Sequence, residues 1–357
     1  MSSSPPVATL GRHGAATLPA VEVASYNVEL KDEDGFIGDR VSRGAFQEII
    51  HTWRKRLAKS GEDPLGDDPS EELSKKQLDA LLLQNGDPNA AGLIQSAIEE
   101  FAQELARVIR RFMRLKSWRD TERITIGGGF RASRIGELAI GRAAALLIAE
   151  EVPIDLTAIH ADPNEAGILG AAHLAPRWMF EGHDGLIGID IGGSNIRAGV
   201  VSLNLKKAAD LSKLRIWKSE LWRHRDEKKV ERESAINELI AMVRRLIDRA
   251  EKEKMRLAPF IGVGCPGVIA ADGTIERGAQ NLPGNWQTRS FNLPAALLEG
   301  IPRIGDHEST IVLHNDAVVQ GPSEISFMND VTHWAVLTIG TGLGNARFEN
   351  RSSEKGR

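Results

Sequence analysis

LIGIDIGGSNIRAGVV, residues 186–201, is the stretch whose reading decides the rest of the chain. An apolar run ends in Asp190, turns through Gly192, Gly193 and Ser194, and resumes as a second apolar run. The pattern predicts a β-hairpin, since glycine takes up turn conformations that other residues resist. Such a turn also lets main-chain N–H groups approach an anion with no Cβ in the way, which suits a phosphate. The competing reading is a plain hairpin in which Asp190 is incidental.

Other segments bear on that choice. Apolar runs also reach glycine turns in IGTGLG (339–344) and IGGGF (126–130). None of the three turns fits the dinucleotide fingerprint, which needs GxGxxG opening a helix and an acidic residue about 20 positions on. A GxxxxGK[ST] phosphate loop is absent from the sequence. Asp316 follows the run TIVLHN much as Asp190 follows its own. Phosphoryl transfer needs a metal to neutralise phosphate oxygens and a carboxylate to deprotonate the accepting hydroxyl. Asp190 suits the first task and Asp316 the second. A helix cap before Ala317 is the structural alternative for Asp316.

The whole chain narrows the field. Its 357 residues leave room for two domains. A composition of 41% hydrophobic and 26% charged residues with net charge −4 is that of a soluble globular protein, and gives no electrostatic case for nucleic acid or a membrane as partner. The apolar runs are strand-sized, so no membrane span is expected, and residues 1–6 lack the pattern of a signal peptide. The single Cys265 excludes an intrachain disulfide and a multi-cysteine zinc cluster, and a reducing cytoplasm is the expected setting.

Periodicity predicts a mobile tail over residues 1–6, a strand at 21–29 and a helix at 45–59. A second helix is expected to start at Pro69 behind Asp68 as N-cap, and a long one to cover 89–115. In the long helix Ile94, Ile98, Phe101, Leu105, Val108, Ile109 and Phe112 make an apolar stripe, while Arg107, Arg110, Arg111 and Arg114 read as a solvated face. Small residues in NEAGILGAAHL (164–174) predict a helix packed closely on a neighbour. Trp286 reads as a loop anchor rather than a sugar-stacking ring. Strand hairpins mixed with helices indicate an α/β protein in two lobes.

In order, GIDIGGSNIRAG (188–199), IGVGCPGVI (261–269), NLPGNW (281–286), HNDAVVQGPSE (314–324) and LTIGTGLG (337–344) resemble the ROK sugar kinases, bacterial glucokinase-like members of the actin-like ATPase superfamily. ERITIGGGFRAS (122–133) and ADPNEAGILGAAHL (161–174) resemble segments that close such kinases at the C-terminal end, yet here they come first. The resemblance therefore implies an α/β, two-lobed, ribonuclease H-like fold that is circularly permuted. Residues 1–180 plus 335–357 would form the C-terminal-type lobe and 185–334 the N-terminal-type lobe, with the termini meeting where ARFEN (346–350) leads to VATLGRHG (7–14).

The same resemblance implies residue roles. Asp316 is the base, and Asn315 and Asn281 contact the sugar. Gly192, Gly193 and Ser194 form the first phosphate turn, although the family has Thr in place of Ser194 and a basic residue in place of Asn195. Thr341 and Gly342 belong to the second phosphate turn, Gly127 and Gly128 lie against adenosine, and Asp190 holds Mg²⁺ through water. Glu22 stands at the sugar-binding Glu, with Ser25 in place of the family's His. GFIGDRVSRG (35–44) replaces the zinc segment without a cysteine, so no zinc site is expected. The implied activity is ATP- and Mg²⁺-dependent phosphorylation of a hexose hydroxyl in an interlobe cleft, in a homodimer. The alternative is a non-catalytic sugar- or ATP-binding regulator, although residues 1–40 hold nothing resembling the winged helix of the family's repressors.

Overall fold

A computed structural model describes residues 12–351, apart from 60, 62, 84–86, 209 and 228. The tail expected at 1–6 and the VATLG part of the terminal join lie outside the described residues. The longer strands are, in chain order, β1 (Val21–Tyr26), β2 (Arg123–Gly127), β3 (Asp155–Ala158), β4 (Gly185–Ile191), β5 (Ile196–Ser202), β6 (Arg215–Trp222), β7 (Leu257–Cys265), β8 (Thr310–Asn315), β9 (His333–Ile339) and β10 (Leu343–Asn350). The helices are α1 (Arg43–Ala58), α2 (Lys75–Leu83), α3 (Pro88–Met113), α4 (Arg134–Ala149), α5 (Ala166–Gly170), α6 (Arg232–Lys252), α7 (Leu293–Gly300) and α8 (Asp316–Gln320).

Two five-stranded sheets organise this mixed α/β chain, one in the order β6-β5-β4-β7-β8 and one in the order β1-β10-β9-β2-β3. In the first, β4 runs antiparallel to β5 and β5 to β6, while β7 and β8 run parallel to β4. The hairpin read at 186–201 is thus β4 and β5. All seven residues of β4 are buried, which is why its sequence is a continuous apolar run and not an alternating one. In the second sheet β2 runs parallel to both β9 and β3.

Contacts divide the chain into two compact units. One holds residues 12–27, Glu165–Asn329 and 349–351; the other holds Val28–Asn164 and Asp330–Phe348. Residues 12–27 and 165–180 cluster with the unit built on β4–β8. At residues 13 and 14 the bonding is to β8: Gly14 N–H donates to Leu313 O, and Leu313 N–H donates to His13 Nδ1. The segment 165–174 packs equally closely, because Gly188, Gly199 and Gly262 of the sheet leave room for Ile168 and Ala171 where a Cβ would collide.

Each unit has its own core. In the first, α6 and α7 cover the sheet with Leu239, Met242, Val243, Leu246 and Leu297, and Trp286 is fully buried with them. In the second, the apolar stripe read on α3 is buried as expected, and Phe46, Phe101 and Phe130 meet ring to ring at 4.6–5.6 Å. α2 corrects the expectation of a helix start at Pro69. The 68–70 segment is a turn held by Arg54, which donates to Asp68 O, Gly66 O and Ser70 Oγ. The helix starts instead behind Ser74, whose Oγ accepts from Gln77 N–H while Gln77 Oε1 accepts from Ser74 N–H, a reciprocal cap. None of the described helices is long and apolar enough to cross a membrane.

Candidate active site

Strand register brings the two aspartates to one sheet edge. Asp190 on β4 pairs with Gly264 on β7, and Asn315 on β8 pairs with Cys265 on β7. Asp190 and Asp316 therefore stand at the carboxyl ends of β4 and β8 with β7 between them. Ligands of open α/β sheets bind outside such strand ends.

Asp190 is buried at 5% exposure, and burial raises its pKa against the opposing charge of Arg197, whose guanidinium lies 3.7 Å away. Gly167 of α5 covers it so closely that a Cβ there would stand 2.6 Å from the carboxylate. Asp316 is half-buried, and its pKa is pushed up to about 7, first by desolvation and then by the charge of Asp190. The same two carboxylates, after burial itself, hold the thiol of Cys265 up. A carboxylate poised near neutrality matches the need of a general base.

The cap that the sequence left open for Asp316 belongs to its neighbour. Asn315 Oδ1 accepts from Ala317 N–H at 2.9 Å and Val318 N–H at 3.3 Å, while its Nδ2 donates to Gly267 O at 2.9 Å. With Asn315 only 2% exposed, its amide is committed to the turn and to α8. Asp316, the first residue of α8, is hydrogen-bonded in turn by the Ala317 N–H and by Asn315, which lower its pKa against the larger effects of burial and Asp190. Behind it, fully buried His314 accepts from Asn315 N–H at Nδ1 and donates from Nε2 to Ala15 O, and burial lowers its pKa to about 4.

The first glycine turn is closed by Gly192 N–H donating to Asn195 O at 2.8 Å. Sequence reading missed what lies beside it. Buried His224 donates from Nε2 to Gly192 O at 2.9 Å, and Arg225 bonds Ser194 twice, through its N–H to the carbonyl and its guanidinium to Oγ at 3.4 Å. The only signal was the run Arg223-His224-Arg225 after β6, about thirty residues downstream of the turn.

The remaining residues of this unit sit apart in their bonding. Asn281 is exposed in a turn. Trp286 is fully buried and donates to Pro283 O at 2.6 Å, the loop anchor expected. Glu22 accepts from Thr17 Oγ1 at 2.7 Å and lies 3.5 Å from Arg351.

In the other unit, register sets Thr338 on β9 beside Gly127 on β2, so the turns 340–342 and 127–129 follow adjacent parallel strands. Gly128 has φ +81°, and a Cβ there would stand 2.5 Å from Ile339 O, so only glycine serves. Gly340 N–H donates to Gly342 O, and Gly340 O accepts from Arg43 N–H at the start of α1. A Cβ at Gly340 or Gly342 would meet nothing within 4 Å.

Among the described residues no cluster of three or more His, Cys, Asp or Glu could hold a metal ion. Two mutually repelling carboxylates do suit Mg²⁺, which takes oxygen ligands, keeps several waters and is commonly held by one or two carboxylates plus phosphate.

No family model matches the chain, and no curated protein does. Among solved structures it is similar to "Lmo2764 protein, a putative N-acetylmannosamine kinase, from Listeria monocytogenes", at 23% identity and a TM-score of 0.32. That match covers 46% of this chain and 47% of the Listeria chain, so the similarity spans about half of each.

Proposed function

We propose that this chain is an ATP-dependent sugar kinase of ROK type with Asp316 as general base. The observation that carries the reading is the pairing at the strand ends: a carboxylate raised to about 7 at β8, one strand removed from a buried carboxylate that leads into a glycine turn. Asp316 takes the proton from a sugar hydroxyl, and the freed oxygen attacks the γ-phosphorus as ADP leaves. On the same unit Gly192, Gly193 and Ser194 bind phosphate, with Arg225 supplying the cation that Asn195 does not. Within the other unit Thr341 and Gly342 bind phosphate and Gly127 and Gly128 face adenosine. Mg²⁺, held through water by Asp190, neutralises charge on the phosphate oxygens. Asn281 contacts the sugar, and Asn315 orients the base.

The permuted architecture belongs to this proposal, and sheet order supports it. Numbered along the chain, β6-β5-β4-β7-β8 reads 3-2-1-4-5. The other sheet, β1-β10-β9-β2-β3, gives the same 3-2-1-4-5 when counting starts at β9, passes to β10 and resumes at β1. Arg351 lies at that join, its N–H donating to Ala20 O.

A specific observation favours a second reading, an ATP-binding protein without sugar turnover: Glu22 is engaged by Thr17 and Arg351, and Ser25 stands where the family has His. A coupled ADP-release assay over glucose, mannose, fructose and N-acetylated hexosamines separates the two. One of these sugars is expected to stimulate release, and Asp316→Asn to lower the rate by about 10²–10⁴ while sugar binding persists. An Asp316→Asn protein with full turnover would remove the base assignment, and release indifferent to every sugar would favour the second reading.

A further inference from the structure

The arginines read as a solvated face of α3 are exposed at Arg107, Arg111 and Arg114 and half-buried at Arg110, and they also border a cavity. Arg107, Arg110, Arg111 and Arg114, joined by Arg40 from the 3₁₀ turn Ile37–Val41, line a cavity of about 270 Å³ in the second unit. Buried Ile37 and Val108 also line it, and Asp32 and Glu104 are its acidic residues, which leaves the lining at net +3. Three of the five guanidiniums are matched: Arg40 to Asp32 at 2.5 Å and Asp34 at 3.3 Å, Arg107 to Glu104, and Arg110 to Glu150. Arg111 and Arg114 have no ion-pair partner and no side-chain hydrogen-bond partner among the described residues. Both are exposed.

A bland explanation exists for part of this. Cations are favoured in the last turn of a helix, where they meet the carbonyl end of the dipole, and Arg110, Arg111 and Arg114 sit there. That accounts neither for Arg107, further up the helix, nor for Arg40, which another element brings in. It also leaves a cost: spacings of three and four place Arg107 against Arg110 and Arg111, and Arg114 against the same two, and each like-charge pair destabilises a helix by a few tenths of a kcal/mol. The charges converge in space as well, since Asp32 is held below the usual carboxylate range by its bond to Arg40 and in smaller part by Arg111.

We infer that this cavity is a binding site for a small phosphate ester, with the phosphate on the Arg111 and Arg114 guanidiniums and the carbon skeleton over Ile37 and Val108. The planar guanidinium fork matches phosphate oxygens in pairs, and a dianion supplies the charge that these two arginines lack. The volume is at the small end of ligand cavities and fits a few-carbon ester. Phosphate dianion chemistry is shared by free phosphate and by an ester; the apolar lining favours the ester. The site is independent of the kinase reading, because none of its residues belongs to the glycine turns or to the aspartate pair.

The test is calorimetric titration of the whole chain at low ionic strength with two probes, inorganic phosphate and glycerol 3-phosphate. Glycerol 3-phosphate is expected to bind the more tightly, and Arg111→Ala/Arg114→Ala to weaken it about tenfold or more, the loss of one charge-assisted hydrogen bond or more. Arg289→Ala, an exposed charge on the other unit, should leave binding unchanged and so controls for net charge. Equal binding of both probes, lost in the double variant, would assign the site to free phosphate and overturn the ester. Binding unaltered in the double variant, or no binding to the folded wild type, would overturn the site altogether. Circular dichroism of the double variant checks that these two exposed substitutions leave the fold intact.

Discussion

Asp316 shows most directly how a single residue is tuned by its neighbours. Its carboxyl is raised by desolvation and by Asp190, so ionising it at neutral pH opposes folding. The sign follows from linkage. In the folded chain the group keeps its proton up to about pH 7, whereas the unfolded chain releases it near 3.8, so stability falls as pH rises through that window. Asp316→Asn is therefore expected to raise the urea midpoint at pH 8, with the gain shrinking toward zero near pH 4. Denaturant titrations of both proteins at the two pH values check this without any substrate, and a gain that does not depend on pH would contradict the assigned shift. Arg225 and Ser194 make a related point: the hydroxyl of the first glycine turn is bonded by a guanidinium thirty-one positions away.

At the scale of elements, α5 is the wedge on which the aspartate pair depends. It spans five residues, too few to be a stable helix alone, and owes its place to packing. Gly167 makes room for the Asp190 carboxylate, and Gly170 lies so close to α8 that a Cβ would stand 1.8 Å from Val319 O. Because backbone cannot yield as a side chain does, Gly170→Ala should cost about 1–3 kcal/mol by overpacking. Gly141, in α4, has nothing within 4 Å of its missing Cβ, so Gly141→Ala should stabilise by about 0.5–1 kcal/mol. The two substitutions are chemically identical, and chemical denaturation should give them opposite signs; a mild effect at Gly170 would show that α5 and α8 can separate. The small-residue reading of 164–174 anticipated close packing, and the fold supplies its partners. The start of α2 was misread because Asp68 and Pro69 carry a local helix signal that Arg54 overrides from a different helix.

Across the whole molecule, the matching order of the two sheets makes a prediction about connectivity. Arg351 donates to Ala20 O from its N–H and to Leu18 O and Pro19 O from its guanidinium, so the last described residue is bonded to the segment 18–20 just before β1. Opening the chain beside the exposed Gly182 and joining Arg351 to Arg12 through a flexible glycine-serine linker should give a protein that folds. Its far-UV circular dichroism should match the parent, with a cooperative thermal transition within about 5 °C. A rearranged chain without a cooperative transition would count against the proposed permutation.

The sequence by itself determined the strands, the long amphipathic helices, the β4–β5 hairpin and the three glycine turns, because each is written in residues adjacent along the chain. Apolar runs, helical spacing and paired glycines act over a few positions, so their reading survives without knowledge of the fold. The placement of Asp190 and Asp316 at one sheet edge was legible only as two similar strand ends; register alone made them neighbours. Tertiary structure decided the rest: the raised pKa of Asp316, Asn315 as the cap, Arg225 on Ser194, and the cavity that Arg40 completes beside the exposed arginine face of α3. Burial and electrostatics act through space between residues tens of positions apart, and no local pattern records which of those positions will meet.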